Sequence, residues 1–321
     1  MSLLEVSGLE VWFSLPRGGE VHAVRGVDFS LDVGERFGLV GESGCGKTTT
    51  VLALMGLLPP TAWVSGAVRI DGEDLLAGGE DSARRHRWTD VAMVFQGAMN
   101  ALNPVKTVGW QIAEPMVVHG IADVPAARKR AAELLELVGL PSSVAGRYPH
   151  EFSGGMRQRA AIAMALACQP KILLADEPTT ALDVMVQAQI LDLLVSLSDE
   201  LGLALVLVTH DLPVVSEMCD RVAVMYAGEI AETGPMSDLA RDPRHPYTRL
   251  LFAATPDLYG DRRVASIPGS PPRLDVPVPG CPFRARCDVA IEACAASPAP
   301  LREVETGHAA ACHRNDLAEV R

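Results

Sequence analysis

Gly41-Glu-Ser-Gly-Cys-Gly-Lys47-Thr48 fits the pattern G-x-x-x-x-G-K-[S/T]. It stands between a short apolar run, Phe37 to Gly41, and a helix-patterned stretch, Lys47 to Leu57, stopped by Pro59 and Pro60. Strand, glycine-rich loop and helix in that order form a phosphate cradle. The glycines let backbone N–H groups turn toward phosphate oxygens, and the helix offers its positive N-terminal end. Lys47 then reaches the β and γ oxygens, and Thr48 offers a hydroxyl to Mg²⁺. Gly41, Ser43, Gly44, Cys45, Gly46 and Thr49 complete the expected contacts, Cys45 as a backbone donor whose thiol is incidental.

Outward from the loop, the chain alternates strands and helices. Upstream, Leu3 to Ser14 and His22 to Asp32 read as β-rich runs; downstream, Ala67 to Ile70 and Val91 to Phe95 follow, the first closed by the turn Asp71-Gly72. From Thr107 to about Gln169 the period becomes helical, with Ala126 to Val138 led by Pro125. Ile172 to Ala175 and Ala204 to Val208 read as buried strands joined by the helix-patterned stretch Val184 to Leu201, a βαβ unit. Arg221 to Tyr226 and Glu229 to Glu232, with Gly228 between them, read as a hairpin. From Ile267 onward six prolines, ending at Pro282, exclude helix and central strand and predict an irregular arm. The expected fold is α/β: a P-loop nucleotide-binding core with an antiparallel β subdomain, a helical insertion and a C-terminal cysteine-containing arm.

Composition narrows the function. The 321 residues are 48% apolar and 5% aromatic, which suits helices covering buried parallel strands. The formal net charge of −12, without a Lys/Arg stripe, argues against a nucleic-acid partner. No apolar run reaches the roughly 18 residues that span a bilayer. The start, MSLLEVSGLEV, lacks the basic, apolar pattern of a secretory signal, so a cytoplasmic location is expected.

Two further stretches carry chemistry. Ile172-Leu-Leu-Ala-Asp176-Glu177-Pro178 is an apolar strand tipped by two acids: Asp176 is placed to hold Mg²⁺ through water, and Glu177 to polarise an attacking water. Phe152-Ser153-Gly154-Gly155-Met156-Arg157-Gln158-Arg159 opens a long helix with a serine and two glycines, a second anion-binding helix N-terminus that is by itself no more than a good cap.

The succession of phosphate loop, Gln96, S-G-G, acid-tipped strand, Thr180-Ala-Leu-Asp183 and Val208-Thr-His210-Asp resembles the ATP-binding subunits of ABC transporters from about residue 3 to 250. The resemblance implies that Gln96 senses Mg²⁺ and nucleotide and that His210 contacts the γ-phosphate. It implies further that Phe13 (or Trp12) stacks on adenine. Ser153, Gly154, Gly155 and Met156, with Asp183, would act in trans on the ATP of a partner subunit. Phe152 and Met156 stand where that family has Leu and Gln. A soluble ABC-type clamp on DNA or ribosomes would need a basic face or a tandem ATPase domain, and neither is present in the sequence. An interaction subunit without hydrolysis would not need Lys47, Asp176, Glu177 and His210 together.

Tyr148-Pro-His-Glu-Phe152, Gln187-Ala-Gln-Ile190, His245-Pro-Tyr-Thr248, Ile267-Pro-Gly-Ser-Pro-Pro272 and Gly280-Cys-Pro-Phe283 with Arg286-Cys287 narrow the resemblance to oligopeptide and dipeptide importer ATPases. The Met-Arg-Gln-Arg variant at Met156 to Arg159 is similar to their "D"-type member. That implies an "F"-type partner ATPase rather than a second copy of this chain, two permease subunits and, through the permease, a substrate-binding protein. It also implies a peripheral position on the cytoplasmic face of the membrane, with Gly97 to Thr107 against the permease. Nickel or other small-solute importers carry similar motifs. The implied organisation is a core at 1–96 and 166–250, a helical subdomain at 97–165 and an arm at 251–321.

Four of the seven cysteines crowd into the arm with the spacing Cys281-x5-Cys287-x6-Cys294-x17-Cys312. In a reducing compartment such a cluster reads as a metal site before it reads as disulfides. Without C-x2–4-C pairs it points to a [4Fe-4S] cluster, with Zn²⁺ as the alternative and His308 or His313 as substitute ligands.

Overall fold

The computed structural model describes residues 2–16, 18–97, 101–254 and 266–314. The chain divides into two compact units, one of residues 1–31, 36–77 and 208–321, the other of residues 32–35 and 78–207.

The first unit contains a four-stranded antiparallel sheet built from β1 (Leu4–Ser14), β2 (Glu20–Leu31), β4 (Ala62–Ile70) and β5 (Glu73–Asp74), in the order β2-β1-β4-β5. Its inward positions, Leu4, Val6, Leu9, Val11, Val24, Val27 and Leu31, are at most 3% exposed. Burying such aliphatic side chains is worth about 1.5–3 kcal/mol each. A bulge between Leu9 and Val11 in the β1–β2 pairing re-aims the end of β1.

A second set of strands in this unit consists of β3 (Arg36–Val40), β9 (Arg221–Tyr226), β10 (Glu229–Pro235), β11 (Arg302–Glu305) and β12 (His308–Ala310), in the order β11-β12-β10-β9-β3. β3 and β9 are parallel, and Phe37, Leu39 and Val40 are fully buried before the chain turns into the phosphate loop and α1 (Lys47–Leu54). β9 and β10 form the expected antiparallel hairpin. Helices α7 (Leu212–Met218), α8 (Met236–Arg241) and α9 (Pro246–Ala253) belong to the same unit.

The arm departs from its expected irregularity. After the proline-rich stretch and a short helix, α10 (Ala293–Ala296), its described residues form the hairpin β11–β12, and β12 adds to β10 through Glu232↔Ala310 and Thr233↔Ala309. The prolines stop before this hairpin, which a composition-based reading of the arm does not resolve.

The second unit carries α2 (Gly79–His86), β6 (Val91–Val94), α3 (Val108–Val118), α4 (Val124–Leu137), α5 (Gly154–Ala165), β7 (Ile172–Asp176), α6 (Val184–Leu201) and most of β8 (Ala204–Thr209). The strand order is β8-β7-β6, with β6 and β7 parallel. Ile172, Leu173, Leu174 and Ala175 are all 0% exposed, as the unbroken apolar run requires of a strand covered on both faces. Asp123 caps α4 by accepting from Ala126 N–H at 2.9 Å, and Gly202 ends α6 in the left-handed region at φ 63°.

Candidate functional site

The phosphate loop lies in the first unit. Gly46 immediately precedes α1, and its φ of 109° is one that no L side chain adopts easily; a Cβ there would lie 2.6 Å from Ala23 O. α1 has neither a side-chain cap nor an acid in its first turn, so its N-terminal donors keep their positive end for an anion. The Lys47 side chain folds back over the loop, donating to Gly41 O at 2.7 Å and Glu42 O at 3.0 Å, and the residue is 6% exposed. Thr48 is exposed at the helix start, and Cys45 is buried, its thiol pushed up by burial. Ser43 and Gly44 form the exposed tip of the loop. His210 is exposed just beyond β8, where Thr209 Oγ1 accepts from Asp211 N–H at 3.0 Å.

Glu42 is a feature the motif does not announce. Its N–H donates to Tyr247 Oη at 2.9 Å, and its carboxylate receives Arg286 Nη1 at 2.6 Å and Nη2 at 2.9 Å. In the pattern this position is an unspecified x, and its partners lie more than 200 residues on, so no local signal identifies it.

The Phe13-or-Trp12 alternative meets a clear geometric difference. Trp12 stacks on His22 at 4.1 Å and on Trp63 at 3.9 Å, and it lines a cavity of about 290 Å³ with His22, Arg25 and residues 274–278. Phe13, the next residue on β1, is half-buried on the opposite face, paired with Val21 and Ala62.

The second unit brings the acids together with Gln96. Asp176 ends β7 at 1% exposure, and Glu177 follows with φ 44°, a left-handed conformation that costs a non-glycine residue about 1–2 kcal/mol. The turn aims the carboxylate out of the strand: Glu177 Oε2 accepts from Gln96 Nε2 at 2.8 Å and from Thr180 Oγ1 at 2.9 Å. Gln96 and Thr180 are exposed and Glu177 is partly exposed, whereas Asp176 is buried.

Ser153 and Asp183 occupy two helix starts in the same unit. Ser153 Oγ accepts from Met156 N–H at 3.3 Å and caps α5; Asp183 Oδ1 accepts from Val186 N–H at 3.0 Å and caps α6. The two starts meet at Gly155, where a Cβ would lie 2.7 Å from Val186 Cγ1. Gly155 therefore has a packing reason as well as any role toward an anion, and Gly154 and Met156 lie beside it, partly exposed.

Cys281, Cys287, Cys294 and Cys312 line one small cavity of about 10 Å³ in the arm with His245, Phe283 and His313. Among the described residues, however, no three His, Cys, Asp or Glu side chains are grouped to hold a metal ion, so the expected iron–sulfur or zinc ligand set is not formed in this geometry. Burial pushes Cys281 up to about 11 and raises Cys287 and Cys312, which keeps these thiols protonated. His308 is committed elsewhere, its Nε2 2.7 Å from the buried Glu232 carboxylate. Residues 98–100 of the segment expected against a permease, and 255–265 and 315–321 of the arm, lie outside the described residues. No described helix is long and apolar enough to cross a membrane.

Known proteins place the chain. Residues 24–180 match the family "ABC transporter", and residues 231–294 match "Oligopeptide/dipeptide transporter, C-terminal region". A probable peptide ABC transporter ATP-binding protein of Sinorhizobium fredii is 48% identical over 98% of this chain and 95% of its own. The dipeptide transport ATP-binding protein DppD of Bacillus subtilis is 50% identical over 89% of this chain and 86% of its own. The ATP-binding cassette MJ0796, solved as a dimer in a post-hydrolysis state bound to ADP and Pi, is 31% identical with a TM-score of 0.64, over 73% of this chain and 98% of that one. The chain belongs to the ABC transporter ATPases, in the branch that carries the oligopeptide/dipeptide transporter C-terminal region.

Proposed function

We propose that this chain is the ATP-hydrolysing subunit that powers import of dipeptides or oligopeptides through a membrane transporter. The observation that carries hydrolysis is Glu177: an acid one residue beyond the buried Asp176, turned outward and held by Gln96 and Thr180. A carboxylate so oriented accepts the proton of an attacking water. Lys47 and the N–H groups of the Gly41–Thr49 loop bind the phosphates, and His210 contacts the γ-phosphate. Thr48, Gln96 and Asp176 are hard oxygen donors that suit Mg²⁺, which when bound neutralises charge on the β- and γ-phosphates.

Residues 1–96 and 166–250 are assigned to the nucleotide-binding core, 97–165 to a helical subdomain and 251–321 to the arm. The Ser153–Met156 turn and Asp183 complete a partner's ATP site in trans, so two ATPase subunits share two nucleotides and their closure drives the permease. The partner is a related "F"-type ATPase. Two permease subunits, a substrate-binding protein and a peripheral place on the cytoplasmic face complete the assembly. The branch-specific C-terminal region and the peptide-transport relatives support peptide cargo over nickel or another small solute.

The four arm cysteines are assigned to a [4Fe-4S] cluster, with zinc as the alternative. They line one cavity of about 10 Å³, so binding would have to open that cavity and deprotonate the thiols. Iron and zinc analysis with a visible spectrum of anaerobically purified protein tests it, and a metal-free, colourless sample would sink it. For the activity, Glu177→Gln is the test: the assembled transporter should bind ATP and cease turnover, whereas steady hydrolysis would refute Glu177 as the base.

A further inference from the structure

Arg286 sits in the arm between Cys281 and Cys287, yet its side chain is 4% exposed and ends on the phosphate loop. The guanidinium forms a two-pronged pair with the Glu42 carboxylate, 2.6 Å and 2.9 Å, while Nε donates to Pro268 O at 2.7 Å and Nη1 also reaches Tyr226 Oη at 3.2 Å. The geometry fixes the guanidinium from three directions. From the other side, Tyr247, fully buried, accepts the Glu42 N–H. Phe283, three residues before Arg286 and 1% exposed, packs on both tyrosines, edge-on to Tyr226 at 5.2 Å and tilted to Tyr247 at 5.4 Å. Glu42 is thus held by backbone and side chain through residues that belong to the arm or pack against it.

A bidentate Arg–carboxylate pair carries directional as well as electrostatic energy, and a buried one whose partner is removed leaves an uncompensated charge. Glu42 follows Gly41 directly, and its own carbonyl, with that of Gly41, receives the Lys47 ammonium. Displacing Glu42 therefore displaces the two acceptors that place Lys47.

We infer that Arg286 is a positioning residue for nucleotide binding: through Glu42 the cysteine arm holds the phosphate loop in its receptive shape. Arg286 touches no nucleotide in this role; it acts through Glu42 and Lys47. The inference rests on reading Gly41 to Thr48 as the phosphate site.

The test is a double-mutant cycle on the full chain, with equilibrium binding of a fluorescent ATP analogue. Arg286→Ala and Glu42→Gln should each weaken binding on the order of tenfold, the loss expected for a hydrogen-bonded charged pair. The double variant should bind no worse than the weaker single one, because one interaction is removed in all three. Arg286→Lys, which keeps charge but not the fork, should recover binding only in part. Amide exchange at residues 41–48 should quicken in Arg286→Ala, a readout that separates loop positioning from global stability, and Glu42→Gln serves if Arg286→Ala does not fold. Unchanged affinity in both single variants, or additive losses, would overturn the inference. Lys47→Ala is the control: retained binding there would mean that the phosphate-site reading itself had failed.

Discussion

The phosphate loop and the cysteine arm lie in the same unit, but they are built from opposite ends of the range of sequence separation. Within the loop most polar contacts span six residues or fewer: Lys47 with Gly41 and Glu42, Cys45 N–H with Glu42 O, Thr50 Oγ1 with Gly46 O. The arm is ordered by distant partners: Arg286 with Glu42, 244 positions away, and His308 with Glu232, 76 positions away. A short-range motif announces itself in a pattern. A long-range one is visible only once strands β9 and β10 have placed Tyr226 and Glu232 beside it.

The locally built loop should fail hardest at Gly46. Gly46→Ala combines φ 109° with a Cβ at 2.6 Å from backbone Ala23 O, so a loss of about 3 kcal/mol or more is expected. Nucleotide binding should disappear with it. Thermal melting alongside nucleotide titration checks both; normal binding would show that the loop tolerates a different shape.

In the arm, Phe283→Ala should cost about 3 kcal/mol, because the ring is packed against Tyr226, Tyr247 and His245. Limited proteolysis of this variant should open the arm from residue 266 onward before it touches β1 and β2, which would mark the long-range contacts as the arm's main support. Simultaneous cleavage of both regions would mean that the arm is not a separate cooperative element.

A third expectation concerns pH. His245 is 4% exposed, accepts from Tyr247 N–H through Nδ1 at 3.0 Å, and is lowered by burial to about 4 despite the nearby Glu232 carboxylate. Its folded pKa lies below the ordinary 6.5, so the unfolded chain takes up the proton first as pH falls. Stability from this group is complete above about 6.5 and is lost progressively toward about 4, by an amount on the order of 3 kcal/mol. Denaturant midpoints of the native chain and of His245→Asn at pH 7 and pH 5 check this; equal slopes against pH would discard it.

The smallest effect should come from Gly44→Ala. Gly44 has φ 80° but open space within 4 Å of where a Cβ would stand, so only backbone strain of about 1–2 kcal/mol opposes the change. Nucleotide affinity should fall far less than for Gly46→Ala. An equal fall would show that the loop's glycines act by conformation alone, not by close approach.

Local pattern alone specifies the phosphate loop, the acid-tipped strand and several of the core elements, because these depend on period, glycine placement and a fixed motif spacing. Helix α6 and strand β9 are bounded at their expected ends for the same reason. Tertiary structure decides the rest. It turns Glu177 outward onto Gln96, 81 positions away, and it gives Gly155 a packing partner in Val186. It also pairs β12 with β10 and joins Arg286 to Glu42, contacts that no periodicity encodes. Such contacts arise where two elements, each folded for its own local reasons, bring a buried charge and its counter-charge to the same place.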